Sequence, residues 1–207
     1  MYGHFTLALK YLRYLFTAAN GKGHGVHSPF VFEFITRVLN DRKNFYAFDA
    51  IEKIRSQLLS NHNIIEIQEQ LSYISTEILI KLSPLIDIQH LVASLKNIYK
   101  IWIIAVKNEV KEVLVYLKKT ENQPEIFCIN LQSTEPEFHF NLDNEKHCKS
   151  ELSIPKKHIY IPNNSVLKSG AFNLVSEKFG LKKLHQNTHI YTSEEKIEHF
   201  PGRIFET

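Results

Sequence analysis

Lys157-His-Ile-Tyr-Ile-Pro-Asn-Asn-Ser-Val-Leu-Lys-Ser-Gly-Ala-Phe172, continuing to Phe200-Pro-Gly-Arg-Ile-Phe205, reads as one complete α/β unit. His158–Ile161 is a short β-branched and aromatic strand that Pro162 stops. Asn163, Asn164 and Ser165 offer side-chain oxygens for the N-terminus of a helix. Val166, Leu167, Ala171, Leu174, Val175 and Phe179 then recur at helical spacing and predict one helix over 165–179. Gly180 is a left-handed cap that ends it. A second strand is expected at His189–Tyr191, and Thr192 with Glu195 three residues on forms a capping box for a short helix. Phe200-Pro201-Gly202 turns the chain into a last strand, Arg203–Phe205.

The phrases Tyr160-Ile-Pro-Asn163, Leu167-Lys-Ser-Gly-Ala-Phe172, Phe179-Gly-Leu-Lys-Lys-Leu184, His189-Ile-Tyr-Thr-Ser193 and Phe200-Pro-Gly-Arg-Ile-Phe205 follow one another in this order. Together they resemble the THUMP-like C-terminal domain of a family of bacterial class I S-adenosylmethionine-dependent methyltransferases. The resemblance implies a THUMP-like module at 157–207 that holds structured RNA for a catalytic neighbour. Ile161 departs from the pattern, since the family carries an acidic residue before Pro-Asn.

Upstream, residues 5–19 carry Leu9, Leu12, Leu15 and Phe16 at helical spacing, and Ser28-Pro29 opens a second amphipathic helix. A third is read over 46–59, so residues 1–67 form a helical arm. Tyr11-Leu-Arg-Tyr-Leu15, His24-Gly-Val-His-Ser-Pro-Phe-Val-Phe32 and Ile54-Arg-Ser-Gln-Leu-Leu59 resemble the opening of a second bacterial group, the O-methyltransferase-like class I enzymes. In that group the arm precedes the cofactor-binding sheet.

From Thr76 strands and helices alternate: strand Glu77–Leu82, helix Ile88–Leu95, strand Lys100–Val106, helix Glu109–Leu117, strand Glu125–Leu131. Near-continuous Ile and Val runs predict a partial parallel, Rossmann-like βαβαβ core over 74–142. Ile80-Lys-Leu-Ser-Pro-Leu-Ile-Asp-Ile88 and Val106-Lys-Asn-Glu-Val-Lys-Glu112 resemble the late part of the methyltransferase fold, with Val110 where that family has Cys. Phe138–Leu142 reads as an edge strand, 143–156 as a charged linker, and 64–73 as the junction between the two resemblances.

The chemistry expected of a methyltransferase is missing from these residues. Its cofactor needs a glycine-rich turn after the first strand, where a Cβ would obstruct the backbone's approach. Residues 26–169 contain no glycine, and Gly21-x-Gly23-x-Gly25 follows a helix rather than a strand. No Asp-Pro pair exists to begin a catalytic tetrapeptide. The 11 histidines show no metal-ligand spacing, and two cysteines do not make a disulfide scaffold. No catalytic, cofactor or metal residue is therefore expected, although the family's cofactor is S-adenosylmethionine.

With 207 residues, 43% of them hydrophobic, and a net charge of +3, the chain reads as an ordinary soluble α/β protein. No run approaches the ~20 apolar residues of a membrane span. Lys10 and Arg13 interrupt any signal peptide, so the cytoplasm is expected. Lys156, Lys157, Lys168, Lys182, Lys183 and Arg203 surround the C-terminal unit. Lys168, Lys182, Lys183 and Arg203 are the candidate phosphate contacts, and Tyr191 the candidate base-stacking ring. A merely solvated basic surface is the competing reading. Three functions follow: an RNA-binding accessory or remnant without its own cofactor site, an active RNA methyltransferase with an unusual or partner-completed site, or a non-functional gene fusion.

Overall fold

The computed structural model describes residues 76–207, preceded by Gln68, Glu69 and Ser72. The helical arm expected over 1–67 and most of the junction over 64–73 lie outside the described residues. In chain order come β1 (Glu77–Leu82), α1 (Ile88–Ser94), β2 (Ile98–Val106), β3 (Glu109–Lys118), β4 (Glu125–Leu131), β5 (Phe138–Asn141) and α2 (Leu142–His147). The C-terminal part continues with β6 (His158–Pro162), α3 (Asn164–Ser169), α4 (Phe172–Phe179), β7 (Lys182–Lys183), β8 (Tyr191–Ser193) and β9 (Gly202–Glu206). They form a five-stranded sheet, order β1-β3-β2-β4-β5, and a four-stranded sheet, order β7-β8-β6-β9.

The largest correction concerns Glu109–Leu117, read as a helix and found as strand β3. Val106 pairs with Glu109 across a two-residue turn. Both turn residues, Lys107 (φ 50°) and Asn108 (φ 65°), are left-handed, as the tight hairpin geometry matched to strand twist requires. Val113 and Val115 are fully buried, so the β-branched residues decide the outcome over the helix-like charge spacing. The charges pair between strands instead: Lys118 Nζ lies 2.7 Å from Glu77 and Lys81 Nζ 3.0 Å from Glu112.

Because β3 is antiparallel to both β1 and β2, those two strands run parallel with β3 inserted between them. β2 and β4 are direct parallel neighbours, and β5 closes the edge antiparallel, where the sequence placed an edge strand. The expected parallel βαβαβ core is thus a mixed sheet with a single helix, α1, in its crossover. Asp87 caps α1, its side chain accepting from the His90 N–H at 2.7 Å.

The C-terminal sheet is antiparallel throughout. His158, Tyr160 and Pro162 point inward and are buried, while Ile159 and Ile161 point outward. The single helix read over 165–179 is two helices, because Gly170 takes a left-handed conformation (φ 78°) and closes α3. Gly180 (φ 63°) ends α4 as expected, and the Leu181 N–H returns to the Ser176 carbonyl at 2.8 Å. Thr192 opens no helix. It is a buried residue of β8, its hydroxyl donating to the His158 carbonyl at 2.9 Å.

The stretch 143–156, read as a linker, is built into the fold. Its first residues form α2, Cys148 is buried, and Ser153 N–H donates to the Lys183 carbonyl at 2.9 Å. One continuous apolar core holds Ile101, Ile103 and Val113 of the first sheet with Tyr160, Val175, Tyr191 and Phe200 of the C-terminal part. Among the described residues no helix is long and apolar enough to cross a membrane.

Polar bonds join the same two parts. Asn163 Oδ1 accepts from Val166 N–H at 3.2 Å, capping α3, and its Nδ2 donates to Glu135 at 2.9 Å. Glu135 also accepts from Asn130 Nδ2 at 2.8 Å, and Asn164 N–H donates to Asn108 Oδ1 at 2.7 Å. Replacing Asn163 by Ala uncaps α3 and removes one of Glu135's two amide donors. The expected loss is about 2 kcal/mol, read as a lower urea midpoint at unchanged slope.

Candidate nucleic-acid interface

β7 is two residues long, so strand alternation sends Lys182 and Lys183 to opposite faces. Lys183 faces inward opposite Tyr191 and is 5% exposed. Its Nζ reaches the Gln186 carbonyl at 3.5 Å and lies 5.9 Å from the Phe172 ring centroid. Tyr191 is fully buried, and its hydroxyl donates to the Phe172 carbonyl at 2.7 Å. Burial pushes that hydroxyl's pKa well up. Neither side chain can meet an RNA, which corrects both assignments.

What they build is a socket for the start of α4. Ala171 occupies the N-cap and has no acceptor to offer. Glu145, on α2, supplies it: its carboxylate accepts from Asn173 N–H at 2.8 Å and Leu174 N–H at 2.7 Å. Burial pushes the Glu145 carboxyl above the usual carboxylate range, while those two N–H groups and the Lys183 charge pull it down. His189 stacks on Phe172 with ring centroids 3.6 Å apart. Burial, with the Lys183 charge, lowers the His189 pKa. Lys168, half-buried in the last turn of α3, sits on a helix packed against β2, β3 and β4.

Strand parity puts Lys182 and Arg203 on the same face, at opposite edges of the sheet. Lys182 pairs directly with Thr192, Thr192 with Ile159, and Ile159 with Phe205, a row across all four strands on the outward face. Ile161 and Arg203 form a second pair on that face, two residues along. Chain from Ser153 to Lys156 crosses the β7–β8 side, where Lys156 N–H donates to Thr192 Oγ1 at 2.8 Å. The β6–β9 side stays open: Phe205 is 45% exposed and Arg203 is exposed.

Gly202 sets how this open side is held. A Cβ there would lie 2.2 Å from the Ile161 carbonyl oxygen and 2.9 Å from Asn163 N. Only glycine lets β9 lie so close to the end of β6, and that approach places the next residues, Arg203 to Phe205. The Arg203 guanidinium carbon rests 5.8 Å from the Phe205 ring centroid. Lys182 pairs with Glu151 at 2.7 Å and Lys157 with Glu206 at 3.5 Å. Arg203 has no carboxylate partner among the described residues.

An exposed ring can stack on a base, and a guanidinium can grip phosphate with paired hydrogen bonds. Phe205 was not among the residues singled out from sequence, although its parity with Arg203 in a predicted strand places both on one face.

Comparison with known proteins bears on the same segment. The family model of a ferredoxin-like domain matches residues 158–201, so the C-terminal module is a ferredoxin-like domain. The crystal structure of a "putative methyltransferase" from Porphyromonas gingivalis W83 is similar, at 35% sequence identity and a TM-score of 0.63. The similarity covers 69% of this chain and 37% of the Porphyromonas chain, so this chain spans little more than a third of that protein. No curated protein sequence matches.

The two neighbouring lysines are expected to behave differently. Lys183→Ala removes a buried stem from the Phe172 and Tyr191 surroundings and lowers stability by about 1–3 kcal/mol. Lys182→Ala leaves the urea midpoint where it was. Equal effects of the two substitutions would contradict the burial difference.

Proposed function

We propose that this chain is an RNA-binding accessory protein related to methyltransferases, without cofactor chemistry of its own. It engages structured RNA through the outward face of its ferredoxin-like sheet. The observation that carries this reading is the exposed Phe205 beside Arg203, which has no carboxylate partner among the described residues, on one face with Ile159, Ile161 and Lys182. Resemblance of the same module to THUMP-like domains supports RNA as the ligand, and the Porphyromonas protein supports the methyltransferase relationship. The absence of glycine from 26–169 supports a chain that leaves methyl transfer to another protein.

A second reading, an enzyme whose cofactor site a partner completes, draws on the 37% coverage of that neighbour. Calorimetric titration with S-adenosylmethionine separates the two. No heat of binding is expected from the chain alone, and a micromolar dissociation constant would favour the enzyme.

RNA binding is tested with a labelled stem-loop RNA over a range of salt. The slope of log affinity against log salt should be about −0.7 for each phosphate neutralised on single-stranded segments. Lys182→Ala and Arg203→Ala should each reduce its magnitude by roughly that amount. Arg203→Lys should also weaken binding, because an ammonium cannot make the two parallel bonds of a guanidinium. Parent-like binding by all three variants would refute this face as the interface.

A further inference from the structure

We infer that Phe205 is a stacking platform for one unpaired base, so that this face takes single-stranded RNA in preference to duplex. The inference rests on the RNA-binding reading above and goes further, to the form of the ligand.

The argument starts from what the ring does in the folded chain. Phe205 contributes nothing to the shared apolar core, which takes from β9 only the half-buried Ile204 of the opposite face. It stands directly across from Ile159, and the Arg203 guanidinium already lies near it, 5.8 Å from its centroid. A flat cation near that ring occupies the kind of position a stacked base would take. Neighbouring strands are ~4.8 Å apart, so Ile159 and Phe205 together offer a platform about one base wide.

A duplex does not fit that platform. Its bases are stacked and paired, and the major groove of A-form RNA is too deep and narrow for side chains to read. Among the described residues this face projects no helix that would enter a groove, since α3 and α4 pack into the core through Val166, Leu174 and Val175. An unpaired base can instead displace Arg203 from the ring. Arg203 has no carboxylate to hold it among the described residues and is free to turn to the adjacent phosphate. Charge favours a nucleic acid over a protein partner here: the exposed guanidinium beside the ring pairs with no carboxylate among the described residues and offers an anion a binding group.

The test uses the full chain and fluorescence anisotropy with a labelled, unstructured 12-nucleotide RNA and the same strand in a duplex. The single strand should bind at least about tenfold more tightly. Phe205→Ala should weaken it by roughly five- to a hundred-fold, the range for losing one stacked base, and leave duplex affinity unchanged. Phe205→Trp should preserve binding. A parent-like denaturation midpoint for Phe205→Ala shows that folding is not the cause, as a half-exposed ring outside the core predicts. Equal binding of both RNA forms with no effect of Phe205→Ala would overturn the inference and leave the cationic reading standing. If neither of these nor the stem-loop RNA binds, the RNA-binding reading itself fails. If in addition Phe205→Ala abolishes self-association in sedimentation, the face is a protein contact.

Discussion

The amide of Asn163 is the bond centre on which the arrangement of the two sheets depends. It is 2% exposed, and its groups are taken up from several directions. The oxygen accepts from Val166 N–H and Ser165 Oγ, the nitrogen donates to Glu135, and the backbone N–H donates to the Pro201 carbonyl. One residue thereby ties the end of β6 to the start of α3, to the β4–β5 loop and to the entry of β9. At such a depth each group left unpaired costs about 1–3 kcal/mol. Gly202 complements it, since the chain entering β9 passes within a Cβ's radius of the same backbone.

The C-terminal module separates interior and exterior work by simple strand parity. Lys183 and Tyr191 serve the socket that orients α4, and Lys182, Arg203 and Phe205 serve the outer face. Lys183 tolerates burial because the Glu145 carboxylate and the Phe172 ring lie near its stem and charge. Glu145 in turn stands where a missing N-cap leaves N–H groups needing an anion. The stretch that looked like a charged linker therefore supplies the electrostatics of a helix three elements later.

Legibility in the sequence followed the strength of the local signal. Ile and Val runs marked β1, β2 and β4, and Gly180 marked the end of α4, because each has a single physical meaning. Glu109–Lys118 was misread since its Glu and Lys spacing suits a helix face as well as cross-strand pairs, and its turn, Lys107-Asn108, lacks the glycine that announces a hairpin. Gly170 was absorbed into a helical stripe that continues on both sides of it. Of the candidate site, Arg203 and Lys182 were recognisable as surface cations. Lys183 and Tyr191 were not recognisable as interior, because strands of two and three residues have no alternation long enough to reveal their buried side. Phe205 carries no charge to mark it as a ligand contact, and its outward position follows only from its register opposite Ile159.

The turn between β2 and β3 has a consequence for how the chain reaches this state. Two non-glycine residues in left-handed conformation are unfavourable in isolation, and no side chain within the hairpin bonds to relieve them. Asn108 instead receives both the backbone and the side-chain N–H of Asn164, 56 positions further along. Within the first sheet the turn is held by Asn108 N–H on Asn130 Oδ1 at 2.8 Å and Lys107 N–H on the Leu131 carbonyl at 3.0 Å. Its full set of bonds is therefore complete only when the C-terminal part has also arrived, a contact whose loop must close late. The two sheets should consequently assemble in one cooperative step, with the turn maturing last, rather than as a preformed half awaiting its neighbour.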